Sequence, residues 1–174
     1  MSGPSPAARA FAPVLPVLRD LHAAGIRFLV AGARAGVLHG HRRQTLDFDF
    51  CVVPDVPSLD RLLDILDAHG FRSLDVLDAE QFSQGVNARF AGAVQLDFLV
   101  HPAAFNFDSA WVRRETVEVQ GVQVQFVALE DLLAMKRAAG RPKDLGDLEA
   151  LEEVRRLREL RRRPPAGRKR PARR

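Results

Sequence analysis

The stretch at residues 26–53, IRFLVAGARAGVLHGHRRQTLDFDFCVV, limits the possible folds of this chain more than any other. Its apolar runs predict a strand at residues 26–31 and a second strand at residues 46–53. Between them lie a turn of small residues, a short helical segment and a basic loop. This order of strand, helix and strand predicts an α/β domain whose sheet is covered by helices.

The second strand carries two aspartates on one face. Along it, apolar and acidic residues alternate in the order Leu46, Asp47, Phe48, Asp49, Phe50. Because strand side chains alternate between faces, both carboxylates are expected on one side and the apolar set against the core. Like charges on one face repel each other, so the pair predicts a nearby cation. Mg²⁺ is such a cation, since one or two acids plus substrate phosphates commonly hold it.

Small residues and a basic loop lie close to these acids. Gly32 and Ala33 form the turn before the helix, where exposed backbone N–H groups and the helix N-terminus favour an anion such as phosphate. Tight packing is the common alternative for a turn of this kind. Arg42, Arg43 and Thr45 precede the acids, either as a solvated basic loop that screens Asp47 and Asp49 or as contacts to phosphates beside the metal.

A third acid is predicted on a later strand. Residues 85–90 and 93–100 are interpreted as two strands, and in the second the apolar face is Val94, Leu96, Phe98 and Val100. Asp97 therefore points away from the apolar side chains, either to solvent or toward the first two acids. In the latter case three carboxylates would form a cluster able to bind two divalent cations for phosphoryl transfer.

Together these pieces resemble the active-site pattern of a known superfamily. The pattern consists of Gly32-Ala33, His39-Gly40, Arg43-x-Thr45-x-Asp47-x-Asp49 and Leu96-Asp97-Phe98. It resembles the nucleotidyltransferases of the polymerase-beta-like superfamily, and among them the small bacterial enzymes related to abortive-infection type II toxins and to the minimal nucleotidyltransferases of toxin–antitoxin pairs. The resemblance covers residues 25–148, and the joint pattern is more specific than any single piece.

The resemblance implies roles for individual residues. Asp47 and Asp49 would hold two Mg²⁺ ions, with Mn²⁺ as a substitute, while Asp97 would help hold the catalytic metal and activate the acceptor. The implied contacts to the nucleotide come from Gly32, Ala33, Arg43, Thr45 and Lys136. Ala33 departs from the family, which usually has Gly or Ser there; alanine keeps the backbone donor but offers no hydroxyl to the phosphates.

Lys136 receives its implied role from its place in the chain. Residues 129–139 are predicted to form a helix that packs its apolar side chains inward and ends at Gly140. In the family that this chain resembles, a lysine of the corresponding segment reaches toward the nucleotide. The alternative is a lysine whose stem lies along a solvated helix face.

The remaining elements follow from periodicity and turn residues. Helices are predicted at residues 14–24, at 58–68 with Ser58 as the N-cap, and at 143–163. A strand is predicted at 71–77, a loop at 102–108, and a hairpin at 115–120 and 122–127 that turns at Gly121. Trp111 could stack on a base, although a partly buried packing role is the commoner one.

Charge is distributed unevenly along the 174 residues. Residues 155–174 hold 11 of the 26 Lys and Arg and one of the 22 acids, so this part carries about +10 and the rest about −6. Residues 164–174 are predicted to be a disordered basic tail that either attracts phosphate backbones or is merely solvated. No apolar run reaches membrane-spanning length, and with the single Cys51 and no signal-like start we expect a cytoplasmic protein.

We therefore predict one domain at residues 1–163 of α/β class (α+β type), with the nucleotidyltransferase fold: a mixed, twisted sheet with flanking helices, packed chiefly on the face opposite the acids. The predicted activity is Mg²⁺-dependent transfer of a nucleoside monophosphate from an NTP to an RNA (such as tRNA) or protein acceptor. The resemblance also implies a cognate toxin or antitoxin partner or a role in phage defence. The alternative is a non-catalytic nucleotide-binding or antitoxin module on the same fold.

Overall fold

The computed structural model describes residues 6–75, 78–85 and 87–162. The helices are α1 Pro6–Phe11, α2 Leu15–Ala23, α3 Gly32–His39, α4 Val56–Ala68, α5 Ala79–Ser83, α6 Phe107–Arg113, α7 Leu129–Ala139 and α8 Pro142–Arg162. The strands are β1 Phe28–Val30, β2 Phe48–Val52, β3 Arg72–Ser73, β4 Ala88–Ala91, β5 Gln95–Leu99, β6 Glu115–Val119 and β7 Val122–Phe126.

The strands form one mixed sheet in the order β3-β4-β5-β2-β1-β7-β6. The central strand β2 runs antiparallel to β1 and parallel to β5. The hairpins β4–β5 and β6–β7 extend the sheet on its two sides with antiparallel pairs. This is the predicted α/β architecture of a mixed sheet with flanking helices.

Aromatic side chains of the three central strands pack against one another at the core of the sheet. Phe50 stacks on Phe98 of the neighbouring strand with ring centroids 5.1 Å apart, and Phe28 meets Phe50 edge-on at 5.9 Å. All three are buried, as are the leucines of α2 and α4 that pack nearby. Such pairs add about 0.5–1.5 kcal/mol beyond the burial of their area. The strands that carry the acids therefore rest on a rigid support.

The start of β2 differs from the prediction. The strand begins at Phe48, so Asp47 lies just before it and is exposed, and Leu46 is 82% exposed rather than packed in the core. The Arg34 side chain explains this, because it donates to the carbonyl oxygens of Leu46 and Asp47 at 3.2 and 3.1 Å. Carbonyl oxygens that accept from a guanidinium have their hydrogen-bonding capacity met without pairing to a neighbouring strand.

Several other boundaries were also wrong. Helix α4 begins before Ser58, because the Asp55 carboxylate accepts from the Ser58 N–H at 3.0 Å and so provides the N-cap. Helix α6 follows its own cap, Asn106, inside and beyond a segment predicted as a loop. The strand predicted at 71–77 contains only the two residues of β3, while 76 and 77 lie outside the described residues, and β4 starts at Ala88 instead of Gly85.

Other predicted elements were confirmed. Helices α2 and α7, the β6–β7 hairpin and the body of α8 lie where the periodicity placed them. The predicted basic tail at 164–174 lies outside the described residues. Helices are less confined to one face than predicted, since α7 lies over the acidic side of the sheet and lines the cleft there. None of the helices in the described part of the chain is long and apolar enough to cross a membrane.

Candidate functional site

Two aspartates on neighbouring strands are direct partners. In the parallel pair β2–β5, Asp49 lies opposite Asp97, one strand spacing of roughly 4.8 Å away. The flanking residues of each strand are buried, which turns both carboxylates to the other face of the sheet. Register alone thus brings together two acids that are 48 positions apart in the sequence.

Gly32 forms the wall beside Asp49. Its backbone has a φ of +58°, and a Cβ built at Gly32 would lie 1.8 Å from the Asp49 Oδ2 atom. The chain is fixed against β2 at this point, because the Ala31 N–H donates to the Asp49 carbonyl oxygen at 2.8 Å. Glycine is therefore required here both for the backbone conformation and for the close approach of the carboxylate.

The environment disfavours a negative charge on Asp49. Burial raises the pKa of the Asp49 carboxyl, and the charge of Asp97 raises it further, while Lys143, Lys136 and Arg141 act in the opposite direction. A divalent cation between the two carboxylates would offset both of the unfavourable contributions. The residues present thus fit a cation such as Mg²⁺.

Polar neighbours hold Asp97 in place. The Gln95 side-chain amide, two residues earlier on β5, donates to the two Asp97 carboxylate oxygens at 3.1 and 3.3 Å. On the other side, Arg89 of β4 lies opposite Asp97 in the register, and its guanidinium pairs with Asp75 at 3.5 Å. Asp97 is therefore oriented by an amide that leaves its negative charge uncompensated.

Asp47 is placed differently from the other two acids. It lies at the end of the basic loop, where Arg34 holds its backbone and stacks over the Phe48 ring at 3.5 Å from the centroid. Burial lowers the pKa of Arg34 to about 10, although the charges of Asp47 and Asp49 raise it. Within the described residues, no three or more His, Cys, Asp or Glu side chains come together as a metal-binding group. The structure thus pairs Asp49 with Asp97, whereas the three-acid cluster is not assembled.

Lys136 is buried in an ion-pair network. Its ammonium donates to Asp147 at 2.6 Å and to Asp144 at 3.1 Å, so it is not the solvated lysine of the alternative prediction. Asp147 also accepts from His41 at 3.0 Å and from Arg43. Burial alone would raise the pKa of Asp147, but hydrogen bonds from Lys136 and Arg43 outweigh it and lower the pKa to about 2.

A cleft of about 220 Å³ is lined both by Asp49 and by Lys136 of this network. Its lining includes Gly32, Asp49, Asn87, Lys136 and Arg141, together with apolar residues of β5 and α7. Two other predicted nucleotide contacts, Thr45 and Arg43, line a separate, largely apolar groove of about 830 Å³. Ala33 is half-buried in the first turn of α3.

Sequence reasoning singled out Lys136 and Arg43 but missed Gln95 and the two aspartates of the network. Their signal was present in the segment Arg141-Pro142-Lys143-Asp144 and in Asp147, which follows Asp144 by three residues and so shares its face of the helix. Two acids on one helix face opposite a buried lysine predict ion pairs, but only the packing of α7 on α8 shows that they meet. His39, which is buried, donates from Nε2 to the Val127 carbonyl oxygen at 2.9 Å, in line with a structural histidine.

Comparison with known families gives one match that covers most of the chain. Residues 17–158 match the family described as "Nucleotidyltransferase of unknown function (DUF6036)". The matched range contains both members of the Asp49–Asp97 pair, Gly32 and the Lys136 network. Among curated proteins, no match is found.

Solved structures show the same fold at low sequence identity. An antigenic nucleotidyltransferase-like protein from Paracoccidioides brasiliensis has a TM-score of 0.54 at 19% identity, covering 88% of this chain and 78% of its own. The lincosamide antibiotic adenylyltransferase LnuA, bound to lincomycin, has a TM-score of 0.57 at 13% identity, with coverages of 82% and 96%. ANT(2″)-Ia in complex with adenylyl-2″-tobramycin has a TM-score of 0.56 at 16% identity, with coverages of 87% and 95%.

Proposed function

We propose that this chain, which belongs to the DUF6036 nucleotidyltransferase family, transfers a nucleoside monophosphate from an NTP to a hydroxyl group of an acceptor. The observation that carries the proposal is the pair Asp49–Asp97, held in register on adjacent strands and closed in by Gly32. An acidic pair on a rigid sheet, beside a cleft with basic side chains, suits a substrate that combines metal ions with phosphates.

Asp49 and Asp97 would hold Mg²⁺, and Asp47, exposed just before β2, would join them once metal and nucleotide are present. Two ions are expected, as in two-metal enzymes, with Mn²⁺ as a substitute. When bound, the metal neutralises phosphate charge and polarises the phosphorus centre for attack. The raised pKa of Asp49 supports this assignment, since a carboxylate that is destabilised without a cation gains most from one.

The reaction follows from these positions. The acceptor oxygen forms a bond with the α-phosphorus, the bond between the α- and β-phosphates breaks, and pyrophosphate leaves. Asp97 is the proposed recipient of the acceptor's proton, because Gln95 orients it without supplying a compensating positive charge.

The phosphates would be bound by the turn and by nearby cations. Ala31 precedes α3 and makes no side-chain cap, so the first N–H groups of the helix, at Gly32 and Ala33, suit a phosphate. Thr45 and Arg43 would contact the nucleotide from the basic loop. Lys136 would contribute positive charge at the wall of the cleft while it remains paired with Asp144 and Asp147.

Incorporation of a labelled NTP with Mg²⁺, measured together with pyrophosphate release, tests the proposal. Wild-type protein should release pyrophosphate, while Asp49→Asn and Asp97→Asn should each lose at least about 100-fold of the rate, as expected for groups that stabilise the transition state. Asp64→Asn, an exposed change on α4, is the matched control and should leave the rate unchanged. A wild-type protein that retains nucleotide but releases no pyrophosphate would instead be the non-catalytic nucleotide-binding or antitoxin module.

The acceptor is proposed to be RNA or protein. Residues 155–174 carry about +10 against about −6 for the rest, so we propose that the basic tail recruits an RNA acceptor such as tRNA. Deleting residues 164–174 should weaken RNA binding and lower the log–log salt slope by roughly 0.7 per lost phosphate contact, with NTP binding unchanged. Equal tRNA affinity and slope for both chains would favour a protein acceptor, for which a cognate toxin or antitoxin encoded beside this gene is the proposed candidate.

A further inference from the structure

Arg141 is the most exposed cation in the lining of the acidic cleft. It lies between α7 and α8, shares the lining with Asp49 and Gly32, and has 59% of its side chain accessible. Lys136, the other cation in that lining, is buried. An incoming triphosphate would therefore meet the guanidinium of Arg141 before the ammonium of Lys136.

The Arg141 side chain is fixed in place and still has donors to offer. Its Nε atom donates to Asp144 at 2.7 Å and its Nη2 atom approaches the same carboxylate at 3.5 Å. Asp144 is itself 1% exposed and is held by Lys136, so the anchor cannot swing away. A guanidinium has five N–H donors, and within the described residues Asp144 is the only group to which Arg141 donates.

The cations that the sequence singled out are committed elsewhere. Lys136 donates to two buried carboxylates, and Arg43 donates to Asp147. To bind a phosphate, Lys136 would have to turn away from a buried carboxylate, which is unfavourable, and Arg43 lines the separate groove rather than this cleft. Arg141 can accept a phosphate without such a loss, because it needs only its remaining donors.

We propose that Arg141 binds the triphosphate of the NTP directly and is the principal phosphate-contacting side chain of this site. The inference rests on the proposed function, since it concerns the same cleft. A guanidinium suits this task because its planar fork matches phosphate oxygens in pairs. In this arrangement Asp144 positions Arg141, and Lys136 keeps Asp144 in place.

Calorimetric binding of one NTP and of its nucleoside, both in the presence of Mg²⁺, tests the proposal in the full chain. Arg141→Gln should weaken NTP binding by about 10- to 100-fold and leave nucleoside binding within about twofold, because a lost charge-assisted hydrogen bond affects only the ligand with phosphates. Arg141→Lys should recover part of the loss. The matched control is Arg137→Gln, whose side chain pairs with Glu152 away from the cleft, and it should change neither affinity.

The outcomes separate the two proposals. If wild-type protein binds no NTP, the proposed function fails before Arg141 is tested. If wild type binds NTP and Arg141→Gln binds it equally well, the assignment of Arg141 is wrong while the proposed function stands. An equal loss for NTP and nucleoside, or a loss that Arg141→Lys does not relieve, would make Arg141 a structural residue of the α7–α8 junction and would overturn the inference as well.

Discussion

Two pairs of aspartates in this part of the molecule have opposite surroundings. Asp144 and Asp147, one helical turn apart on α8, are saturated with donors from Lys136, Arg43 and Arg141. Asp49 and Asp97 lie side by side on the sheet, and no described cation donates to either. The first pair links α8 to α7 and to the basic loop, whereas the second fits the proposed cation.

The pKa values express this difference. Ion pairs lower the pKa of Asp147 to about 2 despite its burial, whereas burial and the Asp97 charge raise the pKa of Asp49. The two acids are thus expected to make contributions of opposite sign to stability at neutral pH. An unfavourable acid on a rigid strand, next to a compensated pair, supports the proposal that Asp49 serves binding rather than folding.

Removing Lys136, the cation shared by Asp144 and Asp147, should have the largest effect on stability. Lys136→Met leaves two buried carboxylates without their common donor, so we expect a loss of about 3–5 kcal/mol in the free energy of unfolding. Urea denaturation measures it. Arg137→Met, in the same helix but in an exposed pair with Glu152, should cost no more than about 1 kcal/mol. A stable Lys136→Met protein that has lost only NTP binding would show that Lys136 is a direct nucleotide ligand.

Filling the space beside the Asp49–Asp97 pair should give the second largest effect. Gly32→Ala places a Cβ against the Asp49 carboxylate and adds a side chain at positive φ, so both folding and Mg²⁺ binding should suffer. Gly25→Ala is the matched control, since Gly25 has a φ of +69° with nothing within 4 Å of a Cβ. Thermal denaturation should show the control losing only the backbone term, about 1 kcal/mol, and Gly32→Ala losing roughly 1–3 kcal/mol more. Equal losses would mean that the approach to Asp49 is unimportant.

The slope of folding stability against pH should have opposite signs for Asp49 and for Asp147. Because the folded protein holds the Asp49 proton more tightly, wild-type stability falls as pH rises from the ordinary carboxyl pKa of 3.8 through the raised folded value. Asp49→Asn should remove that fall and be more stable at neutral pH without metal. For Asp147 the sign is reversed: its contribution is present above 3.8 and is lost as pH falls toward 2, and Asp147→Asn should lack that loss.

The Asp49→Asn variant also tests whether the Asp49–Asp97 pair binds metal. Mg²⁺ with NTP should raise the melting temperature of wild-type protein, since a ligand that binds only the folded state stabilises it. Asp49→Asn should gain much less, and Asp64→Asn should gain as much as wild type. If neither wild type nor variant responds to Mg²⁺ with NTP, the pair does not form a metal site.

How far the sequence could predict this site depends on the range of each interaction. The alternation around Asp49 and Asp97 is local, so the face of each acid could be predicted, and the strand register then confirmed that the two strands are neighbours. The place of Asp47 could not be predicted, because it involves hydrogen bonds from Arg34 to the Leu46 and Asp47 carbonyls, 12 and 13 positions away in the sequence. The partners of Lys136 depend on how α7 packs on α8, which no local pattern contains.

The smallest effect is expected from a change in the α3 turn that leaves both Asp49 and Asp97 intact. Ala33→Ser adds a hydroxyl in the first turn of α3, where the superfamily often has one, and should leave NTP affinity unchanged or tighten it by up to about tenfold, the value of one hydrogen bond. Ala35→Ser, two residues later but fully buried, should instead lower stability by about 1–3 kcal/mol with no gain in affinity. Titration of both variants with NTP and Mg²⁺, alongside thermal melts, makes the comparison. A large loss of stability in Ala33→Ser with unaltered NTP binding would place Ala33 in the packed core and would remove the α3 turn from the proposed phosphate contacts.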